Sequence, residues 1–278
     1  MPALTLGDGQ VVTYDNYGAG PRMMLVHGSP GTSSAWQPVG KRLAERFRIV
    51  APSLPGYGGT SPEDRGAPPS VSHAAALIEA VIRETGAPDV LAGHSYGGAV
   101  ALAVALRGHV NPKALALFEP VCVPILLSTG EEEAYARAKR TFDDYIRAFE
   151  DGDLQAARTM VEFWFGSGAF ERLPRPVRDF LLENTEANIH DVRASFRERY
   201  SVDAMQKLDV PVLTVYGSKS PDVSHRVAGA VTSLAPKGSV ACVDGATHAL
   251  TTTHAAHVAQ LLTDLAARVA APGQPEKV

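Results

Sequence analysis

Six strand-length apolar runs, several without polar alternation and most closed by a glycine, constrain this chain more than any other feature. They are "RMMLVHG" (22–28), "FRIVAPSLPGYGG" (47–59), "DVLAGHS" (89–95), "KALALFEPV" (113–121), "VPVLTVYGS" (210–218) and "GSVACVDGATH" (238–248). A strand wetted on one face alternates polar with apolar residues, so runs without alternation belong to a sheet covered on both faces. Helical patterns near 34–46, 71–86, 97–107, 223–235 and 254–270 lie between the runs and supply that cover. The opening stretch, "ALTLGDGQVVTYDNYG", reads as a hairpin turning at Gly7-Asp8-Gly9. Hairpin and runs together predict an α/β protein with a mostly parallel eight-stranded sheet flanked by helices.

The rhythm breaks once. From 124 to 205 no strand-like run occurs, and the segment carries amphipathic helical patterns instead. In "EEEAYARAKRTFDDYIRAFEDGD", Phe142, Tyr145, Ile146 and Phe149 recur at the steps that line one helix face, with Glu131 to Glu133 in the first turn. "DLQAARTMVEFWFG" and "RPVRDFLLENTEAN" read as further helices. The expected organisation is a core domain built from 1–123 and 206–278, with 124–205 as an all-helical cap over a pocket. A packed side domain without a gating role is the alternative. The tail "APGQPEKV" is expected to fray.

Charge then narrows the partners. Lys+Arg number 26 against 30 for Asp+Glu, a near balance that offers no basic footprint for nucleic acid or an anionic membrane. A small molecule is the expected partner, and a homodimer stays open. The two cysteines, Cys122 and Cys242, read as reduced, buried thiols of a cytoplasmic protein. No run approaches the roughly 20 apolar residues of a membrane span, and the start lacks the basic and apolar pattern of a secretory signal.

Within "LAGHSYGGAV" (91–100), Ser95 stands between Gly93 and Gly97 at the junction of a strand-like and a helix-like stretch. Small residues there let a strand swing tightly into a helix and leave the serine oxygen exposed on a strained corner. With this context the chain resembles the α/β-hydrolase fold family, whose nucleophile elbow has this form. "LVHGSPGTS" (25–33) is similar to the family's His-Gly loop. The resemblance makes the backbone N–H groups of Ser29 and Tyr96 the oxyanion hole, with His27 ordering the loop. "SLPGYGGTS" is similar to an architectural turn of the family, with Ser53 where an aspartate is common. "VDGATHAL" resembles the loop that delivers the catalytic histidine, which points to His248. His94, beside the nucleophile, is expected to turn its ring away.

The acid departs from the common pattern. Family members most often carry an aspartate shortly after the seventh strand, and an ungapped alignment there puts Ser220 in its place, two residues before Asp222. A serine cannot offset the imidazolium charge that forms during proton transfer. Glu119 closes the run "LALFEPV", and some members, haloalkane dehalogenases among them, place the acid at the end of that strand. A glutamate there is costly without a partner, so Glu119 is the first choice and Asp222 the second. Epoxide hydrolases and dehalogenases need a carboxylate at the elbow, which Ser95 is not. The resemblance therefore implies a serine hydrolase, without cofactor or metal, that cleaves a carboxylic ester or lactone of an apolar or aromatic small molecule through an acyl-enzyme. Trp36 and Trp164 are the expected substrate contacts. Two alternatives stay open: cofactor-free C–C hydrolysis or oxygenation with His248 as base, and a small-molecule receptor without turnover.

Overall fold

A computed structural model describes residues 2–63, 66 and 68–270. The strands are β1 (Ala3–Thr5), β2 (Val11–Tyr17), β3 (Arg22–Val26), β4 (Arg48–Pro52), β5 (Val90–His94), β6 (Ala114–Phe118), β7 (Val212–Gly217) and β8 (Gly238–Val243). They form one eight-stranded sheet in the order β1-β2-β4-β3-β5-β6-β7-β8. The first two strands make the hairpin and join β4 antiparallel, and every later pairing is parallel. The hairpin's Gly9, at φ 87°, occupies the left-handed region a tight turn requires. The sequence tail lies outside the described residues.

Along the central strands, successive residues enter opposite cores. Met24, Val26, Leu91, Leu115 and Leu117 face one layer, while Met23, Leu25, Val90, Ala116 and Phe118 face the other. Both sets are fully buried, which is why the runs show no polar alternation. Helices α1 (Gln37–Leu43) and α12 (Ala255–Ala270) cover the second layer; α2 (Val71–Thr85), α3 (Tyr96–Arg107) and α10 (Asp222–Leu234) cover the first. The Ser70 hydroxyl accepts from the Ser72 N–H at 3.1 Å and starts α2 at the first apolar residue of its stripe.

Between β6 and β7 the chain leaves the sheet for α4 (Glu132–Glu150), α5 (Ala157–Phe165), α6 (Ala169–Arg172), α7 (Arg175–Glu183), α8 (Thr185–Arg197) and α9 (Val202–Met205). The stretch read as one helix from 175 is two, broken at Asn184, whose side-chain N–H donates to the Phe180 carbonyl at 2.8 Å and closes α7. Cys122 is buried as expected, whereas Cys242 is exposed. It sits on β8, the open edge of the sheet, where half-covered side chains alternate with bare ones.

Candidate active site

Along the chain Ser95 is the corner between β5 and α3, while its partner His248 precedes the short α11 (Leu250–Thr253). Its backbone adopts φ 55°, ψ −122°, a left-handed conformation that costs a non-glycine residue about 1–3 kcal/mol. Neighbouring glycines make the corner possible. A Cβ on Gly93 would lie 2.1 Å from the Gly97 carbonyl oxygen, and one on Gly97 would lie 2.2 Å from that of His27. Bonds across the sheet hold the corner, with the Ser95 N–H donating to the Phe118 carbonyl at 3.0 Å and the Val121 N–H donating to the Ser95 carbonyl at 3.1 Å.

The tips of three parallel strands bring the other groups in. Ser95 Oγ lies 2.9 Å from His248 Nε2, and His248 Nδ1 lies 2.7 Å from Glu119 Oε2. A carboxylate can only accept, so Nδ1 carries the hydrogen and Nε2 is free to accept from the serine hydroxyl. Glu119 follows β6 at φ 45°. Its Oε1 accepts from the Gly217 N–H at 2.7 Å and from Ser220 Oγ, while Oε2 also accepts from Ser224 Oγ at 3.0 Å. Burial alone would raise this carboxyl, but the His248, Ser220 and Gly217 bonds prevail and hold it down at about 2. Ser220, at the position where an aspartate is common, is thus a donor to Glu119. Asp222 lies outside the group, exposed at the start of α10 and bonded to Arg226 at 2.6 Å.

The serine opens into a cavity of about 380 Å³ walled mainly by apolar side chains of the helices between β6 and β7, including Phe142, Met160, Val161 and Leu181. That is within the range of small-molecule sites. Trp164 stacks on His248 with ring centroids 3.9 Å apart and planes 14° from parallel. Ser29 and Tyr96 both line the cavity. Tyr96 is the first residue of α3, where an N–H has no intrahelical acceptor, and neither its amide nor that of Ser29 has a protein partner among the described residues.

Two sequence expectations are corrected. Trp36 does not reach the cavity: it is 1% exposed and packs edge-on against Phe118, centroids 5.7 Å apart, in the layer beneath α1 and α12. It follows the loop at residue 29, but the 3₁₀ turn Ser33–Trp36 carries its ring to the opposite face of the sheet. His94 does not turn away. Its Nε2–H donates to the His248 carbonyl at 2.8 Å, and burial, with His248 beside it, lowers it to about 3, so it stays neutral. His27 donates from Nδ1 to the Gly28 carbonyl at 2.7 Å and accepts the Leu54 N–H at Nε2 at 2.9 Å, tying two loops together.

Sequence reasoning missed a polar group in the same cavity. Asn188 and Asp191 of α8 face it, joined by Ser29 and by Tyr57 from the loop after β4. The signal was present: Thr185, Asn188, Asp191 and Ser195 fall on the buried stripe of α8, where apolar residues are expected.

Residues 23–261 match the sequence profile of the alpha/beta hydrolase family. A non-heme haloperoxidase from Rhodococcus erythropolis is 26% identical over 231 residues, 78% of this chain and 81% of that protein. A pimeloyl acyl-carrier-protein methyl ester esterase from Vibrio cholerae is 27% identical over 258 residues, 90% of this chain and 96% of that one. Among solved structures, an esterase from Thermogutta terrifontis superposes with a TM-score of 0.74 at 21% identity, covering 96% of this chain and 98% of that one, a likeness of fold.

Proposed function

This chain belongs to the alpha/beta hydrolase family, and we propose that within it the chain is a serine hydrolase cleaving a carboxylic ester or lactone of a largely apolar small molecule. Ser95 Oγ attacks the acyl carbon while His248 Nε2 takes its proton, and the leaving alcohol receives that proton as the acyl-enzyme forms. Water then repeats the sequence and frees the acid. Glu119 holds the Nδ1–H tautomer and stabilises the imidazolium; the stacked Trp164 face does so too, through its ring quadrupole. The amides of Ser29 and Tyr96 are assigned to the oxyanion that develops on the carbonyl oxygen, where one such donor is worth about 3–4 kcal/mol. The helices from 124 to 205 act as the cap: they wall the acyl site and keep bulk water from the intermediate.

The observation that carries this reading is the continuous Ser95–His248–Glu119 hydrogen-bond relay opening into an apolar cavity. Esterases among the similar proteins support it. Treatment with a fluorophosphonate is expected to add one phosphonyl group to the intact mass and abolish nitrophenyl ester hydrolysis, and Ser95→Ala to show neither labelling nor turnover. Full activity in Ser95→Ala would point instead to His248 acting as a base without a covalent intermediate.

A further inference from the structure

One carboxyl in the cavity plays no part in the Ser95 relay. Asp191, 7% exposed, lines the cavity from α8. Its Oδ2 accepts from Ser29 Oγ at 2.5 Å and from the Tyr57 hydroxyl at 2.8 Å. Asn188 Nδ2 donates to the same Ser29 oxygen at 2.9 Å, and the Tyr145 hydroxyl donates to Asn188 Oδ1 at 2.9 Å. The two hydroxyls thereby converge on one carboxyl oxygen, and the Asn188 amide braces Ser29 from behind. Among the described residues Oδ1 has no hydrogen-bond partner and no arginine or lysine lines the Ser95 cavity; Asp191 also borders a second cavity, whose wall carries His190 and Arg193.

Oδ1 therefore meets open cavity space rather than packed side chains, and a ligand can supply its donor. We propose that Asp191 selects the substrate: its free Oδ1 takes a hydrogen bond from a hydroxyl or ammonium group carried by the ester, and esters carrying a carboxylate are rejected. This rests on the hydrolase reading above. Sites built around such a bond discriminate strongly, because the wrong substrate leaves the protein's own polar atom unpaired. At a pH where Asp191 is ionised, a carboxylate would instead meet like charge and, among the described residues, no lysine or arginine in the wall of the Ser95 cavity. Burial pushes the Asp191 carboxyl up to about 7, with the neighbouring Glu63 adding to the rise, so a bound ammonium is expected to pull it into its ionised form. The bonds to Ser29 also tie this recognition to the loop whose amide is assigned to the oxyanion.

The test uses 4-nitrophenyl esters of hexanoic and octanoic acids ending in methyl, hydroxyl, ammonium or carboxylate. Wild type is expected to favour the hydroxyl or ammonium ester over the carboxylate ester by about tenfold or more in kcat/KM, mainly through KM. The hydroxyl and ammonium arms separate a neutral donor from a cation. Asp191→Asn keeps an oxygen for Ser29 and Tyr57 but turns a donor toward the cavity. It is expected to collapse or invert the ammonium-to-carboxylate ratio. Equal rates for all four esters in wild type, or a preference for carboxylate, would overturn the proposal, as would a ratio unchanged in Asp191→Asn. Thermal stabilisation of wild type by the anilides of the same four acids reads binding without turnover. If no ester is cleaved yet the hydroxyl or ammonium anilide still binds about tenfold tighter than the carboxylate one, the hydrolase reading falls and the selection by Asp191 stands; equal binding removes it.

Discussion

Two buried carboxyls of this protein are shifted in opposite directions. Glu119, at the tip of β6, receives four donors from rigid neighbours, and its carboxyl is held at about 2. Asp191, on a helix between β6 and β7, receives two hydroxyls on one oxygen and none on the other, and burial pushes it up to about 7. Burial favours the neutral form of both, so the donors decide the outcome. The strand ends provide them as one backbone amide, an imidazole and two serine hydroxyls. The helical layer faces a cavity and leaves room for a ligand to complete the set.

The largest test of this contrast is Glu119→Gln. An amide cannot hold the imidazolium, and kcat is expected to fall by about a hundredfold to ten-thousandfold, whereas Asp222→Asn changes it little. A steady-state comparison of the two variants on one nitrophenyl ester decides it, and the reverse ranking would move the acid to Asp222.

Next in size is the pH dependence of stability. Asp191 has its folded pKa raised to about 7 from 3.8, so the native state binds the extra proton between those values, and its contribution to stability is lost as pH rises through that window. The loss is roughly 2–4 kcal/mol, from about 1.4 kcal/mol per pH unit. Glu119 acts the other way and lower down: its contribution is present above about 4.5 and lost as pH falls through about 2. His27 and His94, buried and neutral, lose stability as pH falls below 6.5 and oppose Asp191 over part of its range. Glu63 and the hydroxyls of Tyr57, Tyr96 and Tyr145 also face Asp191. The readout is therefore the difference between wild type and Asp191→Asn in denaturant unfolding at pH values from about 5 to 8. It should grow in favour of the variant as pH rises, and a flat difference would mean that Asp191 is already ionised.

The smallest effect concerns Ser220. Removing its hydroxyl in Ser220→Ala takes one donor from Glu119, a loss of about 1 kcal/mol, and kcat should fall roughly fivefold. If Ser220→Ala equals wild type at every pH, the remaining donors suffice.

Local sequence made the sheet and its two-sided cover legible, because strands buried on both faces must omit polar residues whatever their partners are. It also marked Ser95, since a serine between glycines at a strand-to-helix junction has one economical geometry, and it marked Glu119, since a charge closing an apolar run needs a partner. Only the tertiary structure decided what those partners are: Gly217, Ser220, Ser224 and His248 approach Glu119 from across the parallel sheet, about a hundred residues on. Tertiary packing likewise turned Trp36 into the core and His94 toward His248, because one residue's place in a loop does not fix the face its ring enters. Asp191 shows the same limit. Its position on a buried helical stripe could be read, but whether that stripe meets packed side chains or an open cavity depends on how the helices lie over the sheet, and no local pattern encodes that.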